Sequence, residues 1–567
     1  MKVLKKYLRK NLIYFLICIL IFSMAGIMSV FLAYISKMII DTSTLKNISM
    51  FRKTVILAVA FIVLNFIIYV LRGYFKSKYL KNIMFQVNHD LFETLIRRNI
   101  TSFNRENSSV YVSAFNNDLK LLEKNYFDNL LTIISDLSQF IICLIAIFTL
   151  QFYLAIIIVI INIIAVFIPF FYGKYLSKKQ LISSKKFSDL NVRIKDFFNS
   201  FEIIKCFQVQ DKVINKFDDL ELKYELSMQN FRIFEGIISG FSTLSSIGVS
   251  IVTMLISLYF VINNKITIGE MMAIVQLVNN VANPLGRISN EIPLLRSTKE
   301  IEEKINHMLS FKNSDSGIYD LKDLNTILLK KVSFSYDGEK DILHNISFEF
   351  KKGKKYAIVG SSGSGKTTLV KLVLKYFNNY HGDILLNNVD IRKIKINEIY
   401  NNISIVHQNA PILNDTLKNN ILYYGSYDDN IINDVIIKSG LQELVNKLPK
   451  GLDTLINENG NNISGGEKQR ISIARVLLRD TPFIIYDEPT SNLDSITSQE
   501  IDKILLSNNK GCLMITHKLN EELLKQFDYI LVLENGFLKE YGNYNELINS
   551  KKYFYKLLSY KKRKSSN

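Results

Sequence analysis

The chain has 567 residues, too many for one ordinary hydrophobic core, so two or more domains are expected. Its formal charge of +18 would suit a nucleic acid or a membrane surface, and the placement of Lys and Arg decides for the membrane. Cys18, Cys143, Cys206 and Cys512 stand far apart, and the six histidines form no H-E-x-x-H pair, which excludes a disulfide framework and a zinc-protease helix.

The N-terminal ten residues carry Lys2, Lys5, Lys6, Arg9 and Lys10. The apolar run from Leu12 to Tyr34 is long for a signal peptide and has no A-x-A cleavage site, so it reads as a retained membrane helix. Five more apolar stretches follow. The six lie near 12–36, 54–72, 130–150, 152–172, 240–262 and 267–289, each close to the ~20 residues that span a bilayer. The third and fourth meet in a tight turn at Gln151, and the fifth and sixth at Asn263–Ile266. The second and fourth are each followed by a long connection of helical pattern, as in Val192–Phe201, which extends the membrane helices into the cytoplasm. The connection from Lys174 to Arg232 carries twelve Lys or Arg, and the short turns carry few. The positive-inside rule therefore places both termini and both long connections in the cytoplasm. The basic charge is topological and implies no nucleic-acid partner.

Along the sixth stretch, Gln276, Asn279, Asn280, Asn283, Arg287 and Glu291 recur every three or four residues and share one helix face. Facing lipid would be costly, so this face either lines a water-filled path or hydrogen-bonds to other helices. Pro284 beside it can kink the helix. Asp136, in the third stretch, is placed toward the inner mouth of the bundle, and Glu270 at the outer interface.

Residues 312–325 are polar and read as a linker, which sets the domains as 1–311, 312–325 and 326–567. Beyond it, short β-rich runs alternate with helical ones: 326–329, 356–359, 383–386, 403–406, 483–486, 512–515 and 529–533. This is an α/β nucleotide-binding pattern. Gly360-Ser361-Ser362-Gly363-Ser364-Gly365-Lys366-Thr367 sits between an apolar strand and a helix that opens with Thr368, and is a P-loop. Its glycines let backbone N–H groups close around phosphate oxygens. Lys366 is placed to reach the outer phosphates and Thr367 to offer a hydroxyl to Mg²⁺. The strand Phe483–Tyr486 ends in Asp487 and Glu488. Asp487 is placed to hold Mg²⁺ through water, and Glu488 to polarise an attacking water.

Between these two lies Ile463-Ser464-Gly465-Gly466-Glu467. Here the chain resembles the ATP-binding-cassette (ABC) transporter family, whose signature is Leu-Ser-Gly-Gly-Gln/Glu, with Ile463 in place of the leading Leu. A six-span α-helical transmembrane bundle followed by an α/β P-loop NTPase cassette looks like an exporter-type half-transporter. The resemblance assigns Tyr336 to stacking on adenine, Gln408 to Mg²⁺ and to sensing the membrane half, and Ser491 and Asp494 to the D-loop. It makes His517 the switch histidine that contacts the γ-phosphate. It places Ser464, Gly465, Gly466 and Glu467 on the nucleotide of a second cassette. It gives Glu458, before the signature, a coupling role. It also makes the turns Thr101–Asn104 and Ile203–Phe207 coupling helices that rest on the cassettes.

The resemblance implies ATP-driven export of a hydrophobic or amphipathic solute (drug, lipid or peptide) by alternating access. ATP and Mg²⁺ are the expected cofactors. The expected partner is a second half-transporter in the bilayer, a homodimer with a heterodimer as the alternative. The expected place is a bacterial cell membrane, with the cassette cytoplasmic. Two other readings keep the fold: an importer of a siderophore-like compound, and a membrane sensor ATPase with little transport. The polar face of the sixth stretch is the candidate cargo path.

Overall fold

The computed structural model describes residues 2–310, 317–408, 411–457, 460, 462–490, 493–507 and 510–565. The chain divides into two compact units, 1–98 with 106–312, and 99–105 with 313–567.

The first unit is helical. After a short basic helix, Lys2–Lys10, six long helices follow. They are α1 (Leu12–Leu45), α2 (Ile48–Ile96), α3 (Ser108–Leu150, with π turns at Ala114–Asp118 and Glu123–Asp128), α4 (Phe152–Asn199), α5 (Gln210–Ile262) and α6 (Ile268–Leu309). At 49 residues, α2 is about 73 Å long, more than twice a bilayer core of about 30 Å. The same holds for α4 and α5, with 48 and 53 residues. The long connections are therefore continuations of membrane helices, as their periodicity indicates.

Among the described residues four helices, not six, are long and apolar enough to cross a membrane: α1, α2, α3 and α5. Of the expected fourth span, 152–172 in α4, the side chains from 161 onward lie outside the description. The expected sixth, in α6, is not among the four because its polar line dilutes the apolar run. The helix continues through Pro284 to Leu309.

Tight turns join the helices. Between α3 and α4 only Gln151 is non-helical, with φ −155°. α6 opens with a capping box in which Thr267 and Glu270 exchange side-chain-to-backbone hydrogen bonds. Small buried residues, Ala33, Cys143, Ala146, Ala155 and Ala273, let α1, α3, α4 and α6 approach closely, with Ile274, Leu277 and Val278 filling the seam.

The second unit is the cassette. Its main sheet has the order β12-β11-β3-β10-β9-β6, from strands β3 (Lys355–Gly360), β6 (Ile403–Val406), β9 (Phe483–Asp487), β10 (Gly511–Ile515), β11 (Tyr529–Glu534) and β12 (Phe537–Gly542). All pairings are parallel except β11 with β12. Phe483 to Tyr486 are at most 3% exposed, so this strand is covered on both faces and needs no polar alternation. A second, antiparallel sheet has the order β2-β1-β4-β5, from β1 (Thr326–Ser335), β2 (Asp341–Lys351), β4 (His381–Leu386) and β5 (Val389–Asp390). A two-stranded ribbon pairs β7 (Asp415–Thr416) with β8 (Leu455–Ile456). It belongs to a helical layer whose core includes Ile421, Val435, Ile463 and Ile471.

All seven β-rich runs read from sequence are strands, and β2, β12 and the two-residue strands β5, β7 and β8 are additions. Of the expected linker, the described part already belongs to the cassette. Leu321 and Leu324 are buried in its core, and Ile318 and Tyr319 donate backbone hydrogen bonds to Lys393 O.

Candidate functional site

The parallel register puts the chemistry at one edge of the main sheet. Ile515 of β10 stands level with Ile358 of β3 and Asp487 of β9. The P-loop, the Asp487–Glu488 pair and the turn holding His517 therefore leave the sheet side by side. Ligands of open α/β sheets sit at such carboxyl ends.

The loop from Gly360 to Gly365 feeds helix α7 (Lys366–Val373). A Cβ on Gly360 would run into the Leu533 carbonyl of the neighbouring strand. Gly365 has φ +96°, and a Cβ there would meet Leu343 at 2.6 Å. Only glycine fits both places. Lys366 is 5% exposed and folds back onto the loop, its Nζ donating to Gly360 O at 3.1 Å and Ser361 O at 2.8 Å. Burial pulls its pKa below the ordinary lysine value, against the attraction of Glu488 and Asp487. The Ser364 hydroxyl is buried in the loop with no hydrogen-bond partner.

Thr367 Oγ1 donates to Asp487 Oδ1 at 3.4 Å. Burial, then the charge of Glu488, pushes the Asp487 pKa up. A half-buried carboxylate beside a threonine hydroxyl, with the Gln408 amide at the neighbouring Glu488, is an oxygen-rich set that suits Mg²⁺. No group of three His, Cys, Asp or Glu poised for a metal occurs among the described residues.

Glu488 has φ +50°, a left-handed conformation uncommon for a non-glycine residue. Its N–H donates to Ile515 O at 3.1 Å, which holds the bend. The carboxylate then meets two partners: His517 Nε2 is 2.7 Å from Oε1, and Gln408 Nε2 donates to Oε2 at 3.4 Å. The three sequence-predicted catalytic groups are thus brought together. Tyr336 is half-exposed, its hydroxyl 3.1 Å from Thr368 Oγ1, and its ring is held edge-on by Phe334 and Phe377. It offers an aromatic surface beside the P-loop helix.

The signature residues stand apart from this cluster. Ser464 is the N-cap of helix α8 (Gly465–Arg479), its Oγ accepting from Glu467 N while Glu467 Oε2 accepts from Ser464 N at 2.6 Å. Glu467 therefore shapes the helix end, and Ser464 and Gly465 are exposed. Gly466 lies against helix α9 (Ser495–Leu506), where a Cβ would meet Thr497 at 3.0 Å. Among the described residues no hydrogen bond joins the signature to the P-loop. Asp494 caps α9, accepting from Ile496 N and Thr497 N, and those N–H groups hold its pKa below the usual carboxylate range. Ser491 and Glu458 lie outside the described residues.

In the helical unit the polar face of α6 is largely engaged with neighbouring helices. Asn279 accepts from Ser250 of α5 at 2.5 Å, and Asn280 accepts from Gln139 of α3 at 3.1 Å. Arg287 grips Asp136 of α3 in a two-pronged pair, with Nη2–Oδ1 at 2.6 Å and Nε–Oδ2 at 3.1 Å. Gln276 is half-buried, its carbonyl accepting from Asn280, and Asn283 is exposed. Glu270 does more than face the interface, pairing with Lys37 of α1 at 2.9 Å.

A family profile described as "ABC transporter" matches residues 343–491, and one described as "ABC transporter transmembrane region" matches residues 15–285. The chain belongs to the ABC transporter family. The mitochondrial iron-sulfur clusters transporter ATM1 of Kluyveromyces lactis is 33% identical over 376 residues, 62% of this chain and 50% of that protein. The chain thus spans about half the length of the first curated relatives it matches. The putative multidrug export ATP-binding/permease protein YgaD of Bacillus subtilis is 26% identical over 97% of this chain and 96% of its own length. The ATP-dependent lipid A-core flippase of Desulfotalea psychrophila is 29% identical, covering 81% of each chain. Among solved structures, a bacterial Atm1-family ABC exporter with ATP bound shares the fold with a TM-score of 0.83 at 20% identity, over 98% of both chains.

For an ABC transporter, the short helix Ile100–Phe103 is a notable placement. It groups with the cassette unit, and Thr101 Oγ1 donates to the Tyr376 carbonyl just past α7. The second expected coupling segment is the helix Phe201–Cys206, with Phe201, Ile203 and Phe207 exposed. Sequence reasoning missed Gln139, Ser250 and Lys518. The first two had a usable signal, a hydrogen-bonding side chain inside a membrane-length apolar stretch. Lys518 had none, because its partners are distant in the chain.

Proposed function

We propose that this ABC transporter is an ATP-hydrolysis-driven exporter of a hydrophobic or amphipathic solute, working by alternating access as a homodimer. The observation that carries the reading is the assembled Glu488–His517–Gln408 cluster beside Lys366, Thr367 and Asp487, on a chain that also has an exposed, intact signature. A cassette whose Walker residues and signature occupy different faces needs a second cassette to complete each site. Both halves of the site being intact favours two identical chains.

In this reading Tyr336 stacks on adenine and the P-loop backbone, Lys366 and Thr368 hold the phosphates. Thr367, Asp487 and Gln408 would hold Mg²⁺, which when bound neutralises phosphate charge. Glu488 orients and polarises the attacking water. His517 fixes the Glu488 carboxylate and faces the γ-phosphate. Ser464, Gly465 and Gly466 present a helix N-terminus to the nucleotide of the other chain. The D-loop, Ser491 to Asp494, borders that interface. Helices Ile100–Phe103 and Phe201–Cys206 carry the motion to the membrane half. There, six spans (α4 and α6 included) enclose a path bordered by Gln276, Asn279, Asn280, Asn283 and Arg287. The Lys and Arg bias supports a cassette on the cytoplasmic side, in this reading of a bacterial cell membrane. Inverted membrane vesicles test the direction. ATP-dependent accumulation of an amphipathic dye, absent in Glu488→Gln, is expected, and equal accumulation in both would refute it.

A further inference from the structure

Lys518 follows the switch histidine, and its side chain turns away from the nucleotide edge. Its Nζ donates to Thr490 Oγ1 at 2.6 Å and lies 3.5 Å from Asp502 Oδ2. Thr490 Oγ1 in turn donates to Asp502 Oδ1 at 3.1 Å, and Ser498 Oγ reaches Asp502 Oδ2 at 3.5 Å. Thr490, Ser498 and Asp502 are 5%, 4% and 8% exposed. The backbone of Lys518 is also fixed, its N–H donating to Thr516 Oγ1 at 3.0 Å.

These residues belong to three separate pieces of chain. Thr490 is two residues past Glu488, on the segment leading to the D-loop. Ser498 and Asp502 lie on α9, whose N-cap is Asp494. Lys518 is one residue past His517. The groups needed for hydrolysis thus sit on three segments, and a single ammonium ties those segments together behind the reaction site. A buried carboxylate needs a cation or several donors to stay ionised, and Lys518 is a cation within reach of Asp502. Burial pushes the Asp502 pKa up, and Lys518, Thr490 and Ser498 oppose it.

We propose that Lys518 is a positioning residue for ATP hydrolysis: bonded to Thr490 and Asp502, it fixes the spacing of His517, Glu488 and Asp494. It acts through those three residues. Misplacement of reacting groups by about 1 Å can cost about 100-fold in rate. The loss should therefore appear in turnover and not in nucleotide affinity, because the P-loop and Tyr336 are not part of the network.

The inference rests on the hydrolytic reading of the cassette, so its test separates the two. The full chain, reconstituted in lipid, is compared as wild type, Glu488→Gln, Lys518→Met, Lys518→Arg and Thr490→Val. Phosphate release gives kcat and KM, a fluorescent ATP analogue gives affinity, and amide hydrogen exchange is followed over 486–498 and 515–520. An inactive wild type that binds nucleotide refutes hydrolysis by this chain as a self-sufficient homodimer. The exchange data still judge the network, because Lys518→Met should quicken exchange in both segments together. With an active wild type, Lys518→Met is expected to lower kcat about 10- to 100-fold with KM and affinity within about twofold. Lys518→Arg should restore most of the rate, and Thr490→Val, which keeps size and shape, should fall between. Three results would overturn the proposal: unchanged kcat in Lys518→Met, loss of affinity in parallel with rate, or faster exchange in only one segment.

Discussion

Arg287 and Asp136 offer a sharp test of how the membrane half is held together. The Asp136 side chain is 5% exposed and that of Arg287 is 51% exposed. Both carboxylate oxygens accept from the one guanidinium, at 2.6 and 3.1 Å, so it is their principal partner. The two truncations should therefore differ. Arg287→Met leaves a buried, unpaired carboxylate, for which the usual cost is about 3–5 kcal/mol. The lower end applies because the Arg287 side chain is only half covered by the chain itself, which weakens its hold on the carboxylate. Asp136→Asn leaves a half-exposed arginine that can turn to water, and its amide oxygen still accepts one N–H, so about 1 kcal/mol is expected. The double variant has no buried charge to compensate and should cost little more than Asp136→Asn alone. That non-additivity amounts to a coupling of about 3 kcal/mol. The assay is thermal unfolding of the detergent-solubilised chain, read as the monodisperse fraction remaining after heating. The account requires that adding Asp136→Asn rescue Arg287→Met. If the losses simply add, the pair is not a structural clamp and the reasoning fails.

Two further perturbations address the cassette. Gly360→Ala drives a methyl group into the Leu533 carbonyl, so the P-loop must shift. We expect a fluorescent ATP analogue to lose at least tenfold in affinity, with overpacking costing about 1–3 kcal/mol. Asp528 is opposed by burial, but hydrogen bonds from Lys355 N–H at 2.8 Å and Lys354 Nζ at 2.9 Å hold its pKa below the usual carboxylate range. Its stabilisation is then fully present above about pH 4, the ordinary aspartate value, and lost as pH falls through the lowered one. Asp528→Asn should lower thermal stability at neutral pH and flatten its acid limb.

Much of the cassette site was legible because its motifs are local. Glycines required by close backbone approach, a lysine and a threonine at a helix start, and paired acids at a strand end each have short-range causes. The seven read strands were apolar runs, while β2, β12 and the two-residue strands β5, β7 and β8 were missed. Asp341–Lys351 mixes acids, His and Lys with its apolar residues, and its pairing with β1 is broken by register shifts. The left-handed bend at Glu488 and the Lys518 network were not legible, since both depend on contacts between distant segments. In the membrane half, the α6 polar face was readable but its partners were not. Helix periodicity names a face and leaves open which neighbour meets it. Gln139, Ser250 and Asp136 supplied that answer, and hydrogen bonding between helices now accounts for Asn279, Asn280 and Arg287 in this conformation.

The measurement that tests the central claim most directly is phosphate release by the purified chain alone in lipid, beside Glu488→Gln. The account predicts steady ATP hydrolysis by the wild type, and a variant that still binds ATP but releases phosphate at least about 100-fold more slowly. A folded wild type that binds ATP and does not hydrolyse it would contradict a self-sufficient homodimer. A Glu488→Gln variant as active as wild type would contradict the catalytic assignment itself.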